Sequence, residues 1–309
     1  MHPPEEPEGP ASRRARLELR CRALGAVREF FSQSGFLEVQ TPVRCPAPIP
    51  ELHIDPIPAD GWFLLPSPEV YMKRLLAAGY EKIFQISPVF RRGEVGRLHH
   101  PEFTLLEWYR LDADYTALQE DCEGLLRFVC KAVGLVGEWP HRGNRVAVEG
   151  SWGRLTVREA FSRFAGWEPS ANPDQDRFDI DMVEKVEPNL GRPTPCFLLD
   201  YPASQASLAR LKPEDPAVAE RFELYWNGIE LANGFSELTD PAEQRKRLED
   251  ALAAKRAAGG VTHPLPEAFL QSLATLPPCA GIALGIDRLV MLLTNADAID
   301  QVTAFSPGE

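Results

Sequence analysis

The sequence predicts an α+β fold, a mostly antiparallel sheet flanked by helices. Two observations carry that prediction. Apolar strand-like runs come as local pairs, residues 83–90 with 102–110 and residues 222–226 with 229–235, whereas a parallel sheet needs a long crossover between successive strands. The segments between the pairs show helical spacing instead, as in residues 13–34 and 115–133. At 309 residues the chain suits one domain over 13–309 behind a disordered tail at 1–12, where Pro and Glu offer nothing to bury.

In residues 13–34 apolar side chains recur at Leu17, Cys21, Leu24, Val27 and Phe31, and Gly35 ends the stripe. Residues 36–39 read as a strand stopped by Thr41-Pro42, and the proline-rich 44–61 as irregular chain. Ser67-Pro68-Glu69 signals a helix start running to about Ala78: Ser caps, Pro fits the first turn, and Glu favours the dipole. The charged segment 91–100 makes one long hairpin of the strands at 83–90 and 102–110.

Residues 115–133 read as a helix; 134–154 are glycine-rich and stay open. Thr156 with Glu159 forms a capping box, and the polar 168–195 gives no assignment. Residues 196–200 read as a strand, and Asn227-Gly228 between apolar runs as a tight hairpin turn. A helix over 241–258 stops at Gly259-Gly260, a strand occupies 281–285, and Asp287 is expected to cap a helix over 287–294.

The formal charge of −12 argues against coating nucleic acid by bulk charge, with a local basic patch left open. The N-terminus lacks the basic and apolar parts of a signal peptide. The most apolar stretch, 279–293, is broken by Asp287 and Arg288, so no membrane span is expected. Six dispersed cysteines without a CxxC pair read as buried thiols of a cytoplasmic protein, and the histidines lack metal-ligand spacing.

Chemistry enters at the Asn227-Gly228 turn. A two-residue loop sets Trp226 opposite Ile229 and Tyr225 opposite Glu230, so Glu223 and Glu230 share a face, within about 8 Å at Cβ. Two such carboxylates suit a hard cation such as Mg²⁺; a solvated outer face is the alternative. Strict alternation puts Asn233 and Glu237 on the other face, unless Gly234 marks a bulge. The 91–100 loop offers arginines that match phosphate geometry, or is an exposed hairpin tip. Phe103, Leu105, Glu107 and Tyr109 share one face, which suits a pocket for an amine and a flat ring, or a packed edge strand. Gly281 to Gly285 leads into a helix with Arg288 at its start, where a ligand can approach the backbone or the chain packs tightly.

Together these pieces resemble the catalytic core of the class II aminoacyl-tRNA synthetases, lysyl-tRNA synthetase in particular. Phe36-Leu-Glu-Val-Gln-Thr-Pro42 resembles motif 1, the stretch from Phe90-Arg91 to His99-His100-Pro101-Glu102-Phe103-Thr104 motif 2, and Gly285-Ile286-Asp287-Arg288 motif 3. Ser67-Pro68-Glu69 to Lys73-Arg74-Leu75, and Glu230-Leu-Ala-Asn-Gly-Phe-Ser-Glu237, are similar to lysine-specific blocks. The resemblance spans about 13–306. It is closest to the elongation factor P lysine ligases, paralogues of lysyl-tRNA synthetase. Pro202-Ala-Ser-Gln-Ala-Ser-Leu208 and the Ile229 to Gly234 run read like that subgroup, and the first helix leads straight into motif 1, with no room for an anticodon-binding barrel.

The resemblance implies ATP and Mg²⁺ as co-substrate and metal, lysine or (R)-β-lysine as the activated amino acid, elongation factor P as acceptor, no tRNA anticodon recognition, and a homodimer built on motif 1. It implies Arg91 at the α-phosphate and substrate carboxylate, and Arg288 at the γ-phosphate, as the catalytic pair. Arg92, Gly93, His99 and His100 would face ATP from the motif 2 loop, Phe103 would stack on adenine, and backbone at Leu231 and Gly285 would approach the nucleotide. Glu223 and Glu230 would bind the metal. Ser67, Pro68 and Glu69 would meet the substrate, Glu69 at the amine near the carboxylate. Glu107, Tyr109 and Glu237 would take the distal ammonium, Asn233 the carboxylate.

Three departures stand out. The usual motif 2 acid falls on Gly93, with Glu94 next to it as a substitute; His100 stands where Asn is usual; Ser67 and Ala283 replace Ala and Gly, consistent with a pocket reshaped for (R)-β-lysine. The remaining alternatives are a short synthetase-like enzyme with tRNA or a free amine as acceptor, and a non-catalytic amino-acid sensor.

Overall fold

The computed structural model describes residues 11–306, so residues 1–10 of the expected tail lie outside the described residues. A turn at 11–13 leads into α1 (Arg14–Gln33), which Gly35 closes with φ +76°. Next come β1 (Leu37–Glu38), β2 (Arg44–Cys45), β3 (Ile57–Ala59) and β4 (Trp62–Leu64). The last three form a small antiparallel sheet where irregular chain was expected. Pro58 has no N–H to give, which fits strands this short.

The chain continues as α2 (Glu69–Ala77), β5 (Lys82–Phe90), β6 (Glu102–Leu111) and α3 (Tyr115–Val133). The open 134–154 region contains the hairpin β7 (Glu138–His141) and β8 (Asn144–Ala147), then β9 (Gly153–Thr156) begins. The capping box is present: Glu159 N–H donates to Thr156 Oγ1 (3.1 Å) and Thr156 N–H to Glu159 (2.8 Å), starting α4 (Val157–Phe164). In the unassigned 168–195, α5 (Gln175–Asp181) runs into a π-helical turn.

Then follow β10 (Cys196–Pro202), β11 (Leu211–Lys212), β12 (Asp215–Trp226), β13 (Ile229–Ser236), α6 (Pro241–Ala257), α7 (Glu267–Ser272), β14 (Cys279–Gly285) and α8 (Ile286–Thr294). The main sheet has the order β1-β5-β6-β14-β13-β12-β10-β9, with β11 beside β12. It is antiparallel except at its edges, where β1 runs parallel to β5 and β9 to β10.

One face of this sheet is apolar. Leu106, Trp108, Ile282, Leu284, Phe222 and Trp226 pack there with α1, α3 and α8. Phe31 of α1 stacks on Phe84 at 4.7 Å and touches Trp108 at 5.2 Å. Each such buried side chain contributes about 1.5–3 kcal/mol, enough to fix which way the sheet faces. The other face meets α2 and α7 at one end, around Met72, Ile83 and Phe269, and elsewhere carries polar side chains.

Three local expectations need correction. Ser67 is not the α2 cap: Pro68 holds that position, and Ser67 Oγ accepts from Glu69 N–H (3.1 Å) while donating to Glu107 (2.5 Å). Asp287 does not cap α8, whose cap is Gly285. It accepts from Thr104 N–H (2.7 Å) and from Arg20 (2.5 Å), tying α8 to β6 and α1. Both polar groups found distant partners, which local capping rules do not see. Cys21 is exposed, unlike the other five cysteines, because the buried stripe of α1 runs through Ala23, Val27 and Phe31.

Candidate active site

The polar face is assembled by strand register. Glu107, Ala283, Asn233 and Glu223 lie side by side across β6, β14, β13 and β12, and Tyr109, Gly281, Phe235 and Arg221 form the next row. Residues paired across strands share a face, so both rows point into one space. That space is a cavity of about 760 Å³, closed on its far sides by α6 and the 50–54 segment. A second groove, beside α2 and α7, contains none of the sequence-predicted site residues.

The Asn227-Gly228 turn has φ +52° and +73°, as a tight primed turn requires, and pairs Tyr225 with Glu230 as expected. A bulge does reset the facing, but at Leu231 and not at Gly234: Tyr225 pairs with Glu230, and Leu224 with Ala232. Glu223, Glu230 and Asn233 therefore share one face, and strict alternation was wrong about Asn233.

At one end of the cavity sit the acids. Glu107 is buried and accepts from Ser67 (2.5 Å) and Tyr109 (2.8 Å); burial, with Glu69 adding to it, pushes its carboxyl up to about 8. Glu237 is buried over Gly281, on the same face as Tyr109: a side chain at Gly281 would strike the Tyr109 ring at 2.2 Å and Glu237 Oε1 at 2.5 Å. Burial raises Glu237 as well, while Lys73 pulls the other way. Glu69 contacts Lys73.

At the other end sit the arginines. Arg91 lies over the Phe103 ring (5.0 Å), donates to the Pro66 carbonyl (3.4 Å) and approaches Glu94 (3.8 Å). Arg288 donates to the Glu230 carbonyl (2.8 Å) and carboxylate (3.2 Å) and meets His99 Nε2 at 2.6 Å. Burial, then the charge of Arg288, holds His99 below its ordinary range. His100 is buried against Asp300.

Leu231, Ala283 and Gly285 line the cavity between the two ends. Pro68, Arg92, Gly93 and Glu237 are not on its wall: Pro68 caps α2, Arg92 and Gly93 are exposed at the hairpin tip, and Glu237 is covered by its neighbours over Gly281, on the cavity side of the sheet. Glu94, not Gly93, faces the cavity from that loop.

Glu223 and Glu230 fit a divalent cation. Glu223 is held by Arg221 (2.6 Å) and Tyr225 (2.7 Å), and burial plus the charge of Glu230 raises its carboxyl, a penalty that a cation relieves. Among the described residues no group of three or more His, Cys, Asp or Glu forms a closed metal cage. Two carboxylates with room for phosphate and water is the donor set that Mg²⁺ favours.

A family model for the class II tRNA synthetases (D, K and N) matches residues 10–308. The chain is 40% identical to an elongation factor P–(R)-β-lysine ligase of Vibrio cholerae over 96% of both chains. It is 41% identical to that of Vibrio parahaemolyticus over 94% of both, and 40% identical to that of Pectobacterium atrosepticum over 96% of both. The chain belongs to the class II tRNA synthetase family, among the elongation factor P–(R)-β-lysine ligases. No helix among the described residues is long and apolar enough to cross a membrane.

Sequence reasoning missed two residues that brace this site. Arg221 holds Asn233 (3.2 Å), Glu223 (2.6 Å) and the Gln205 carbonyl (2.7 Å) at once. Its signal was available, since Arg221 stands two residues before Glu223 and so on the same face. Glu187 shares Tyr225 Oη (3.2 Å) with Glu223, and burial, then Glu223, raises it to about 7. It comes from the 168–195 stretch that shows no pattern.

Proposed function

We propose that the protein activates (R)-β-lysine, or lysine, with ATP as an adenylate and transfers the acyl group to a lysine ε-amine of elongation factor P. The observation that carries this reading is the two-ended cavity: buried carboxylates for ammonium groups at one end, arginines and a metal-binding acid pair for a nucleotide at the other. In the first step a substrate carboxylate oxygen attacks the α-phosphorus and pyrophosphate leaves. Arg91 holds the carboxylate and α-phosphate, Arg288 exchanges Glu230 for the γ-phosphate, and the adenine lies on Phe103. Mg²⁺ on Glu223 and Glu230 would neutralise phosphate charge. In the second step the acceptor nitrogen attacks the acyl carbon, an amide forms, AMP leaves, and the amine gives up a proton. Positioning and charge compensation supply most of the acceleration.

Glu69 takes the amine near the carboxylate, and Glu107, Tyr109 and Glu237 the distal ammonium. Asn233, fixed by Arg221, contacts the carboxylate. Two features support a displaced amine. The Ala283 methyl stands on the cavity floor between Glu107 and Asn233, and Ser67 occupies one Glu107 oxygen. Leu37 and Val43, around the motif 1 segment, are 52% and 41% exposed, which supports a homodimer there. A monomeric mass in solution refutes that part.

The test has two stages. ATP–pyrophosphate exchange must depend on lysine or (R)-β-lysine. Incubation with ATP, β-lysine and either elongation factor P or tRNA must then add one lysyl mass to the protein and none to the tRNA. The reverse outcome overturns the acceptor, and absence of exchange overturns the enzyme.

A further inference from the structure

Lys73 is the largest charged group in the acid end that the proposed chemistry does not use. It lies one helical turn after Glu69 on α2, fully buried, with its ammonium between the carboxylates of Glu69 and Glu237. The rings of Phe235 and Phe269 flank it at 5.3 and 5.8 Å. A lysine without solvent survives only if paired, because burial disfavours its charge. Here the two carboxylates outweigh burial and hold it firmly protonated.

Burial pushes Glu107 up to about 8, and raises Glu237 to about 8 against the pull of Lys73, so both carboxyls hold protons near neutrality that an entering ammonium displaces. A diamino acid brings two ammonium groups there, while its carboxylate is met by the arginine end. Both Glu237 oxygens are buried without a hydrogen-bond partner, Oε2 being in ion-pair contact with Lys73, so acceptor capacity remains for a ligand.

We infer that Lys73 is a positioning and specificity residue: an internal ammonium that holds the Glu69 and Glu237 carboxylates together at the acid end, where they can receive the ammonium groups of a doubly aminated substrate. This inference rests on the diamino-acid reading above. Lys73 touches no reacting atom and acts through the two acids. The titratable and charged groups around this pair are Glu69 on α2, Glu107 and Tyr109 on β6, Glu237 after β13, Cys279 on β14 with Arg210 beyond it, and Glu51 from the 50–54 segment. The helix α7 contributes only an uncharged ring, Phe269.

The sign of the pH effect follows. Lys73 pulls Glu237 down against burial and against the charges of Glu69 and Glu107, so without it Glu237 holds its proton to higher pH still. An incoming ammonium must then displace that proton, so binding weakens at neutral pH and recovers as pH rises.

The test compares wild type with Lys73→Met and, as a second neutral variant, Lys73→Gln. KM for the amino acid and for ATP are measured by pyrophosphate exchange from about pH 6.5 to 9. The expected result is a rise of roughly tenfold or more in the amino-acid KM near neutrality, with the fall of KM on raising pH continuing to higher pH than in wild type. The ATP KM stays unchanged. A purely structural lysine would lower the melting temperature without moving that pH dependence. A variant KM within about twofold of wild type at every pH overturns the inference. So does failure of both neutral variants to fold, which would make Lys73 a packing requirement. Wild type that exchanges with no diamino acid sinks the functional reading instead, a separate outcome.

Discussion

Arg288 Nη1 donates to both the backbone carbonyl and the carboxylate of Glu230, at 2.8 and 3.2 Å. The proposed γ-phosphate ligand and a proposed metal ligand thus pair with each other. Neither charge is left bare in the cavity, and a metal–nucleotide complex offers each a partner of the right sign. The exchange loses little, because both side chains are partly exposed and such pairs contribute at most about 1 kcal/mol.

Arg288→Ala should therefore separate chemistry from folding. Pyrophosphate exchange is expected to fall by about two orders of magnitude or more, the usual effect of removing a group aimed at developing charge. The melting temperature should move by only a few degrees. Near-wild-type exchange disproves the assigned role.

Glu223→Gln tests the metal reading without dismantling the site. The amide keeps an acceptor for Arg221, and Tyr225 Oη can accept from its NH₂, so the hydrogen-bonded frame survives. The Mg²⁺ concentration for half-maximal exchange should rise by about tenfold or more. An unchanged Mg²⁺ dependence shows that Glu223 does not hold the ion.

The limits of reading this site from sequence follow from the same residues. Strand pairing around Asn227-Gly228 was legible because a two-residue turn dictates register, and the shared face of Phe103, Glu107 and Tyr109 because alternation is strict within one strand. The placement of Asn233 was not legible, since the bulge at Leu231 has no sequence mark. Asp287 and Ser67 were misread as caps because their partners, Arg20, Thr104 and Glu107, are distant in sequence. Glu187 was invisible because it reaches Tyr225 from a three-residue helical turn, too short to carry a period of its own.

Ala283→Gly probes the amino-acid end. The methyl lies on the floor between Glu107 and Asn233, so its removal deepens the pocket by one methyl. A change of that size is worth about 1–3 kcal/mol in discrimination. The ratio of kcat/KM for (R)-β-lysine to that for α-lysine should fall by about tenfold, measured by pyrophosphate exchange. A ratio unchanged within twofold would leave the departure at this position unexplained by shape.

His141 ties the sheet's central turn to the β7–β8 hairpin and should give folding a pH dependence. Its ring is fully buried, Nδ1 accepts from Asn227 Nδ2 at 2.8 Å, and the His141 carbonyl accepts from the same amide at 3.1 Å. Burial, then the charge of Arg142, lowers the imidazole to about 4. The folded value lies below the unfolded one of about 6.5, so the folded state favours the neutral ring. Its contribution is complete above about pH 6.5 and is lost as pH falls toward 4, where the unfolded chain takes up the proton first. Protonation would also put a donor on Nδ1 facing the Asn227 donor. By about pH 4.5 the loss should reach about 2 kcal/mol. Urea unfolding of wild type and His141→Gln at about pH 7 and about pH 4.5 measures it, since Gln can still accept from Asn227 but does not titrate. Wild type should lose more stability than the variant over that interval; parallel losses would show that His141 stays uncoupled from folding.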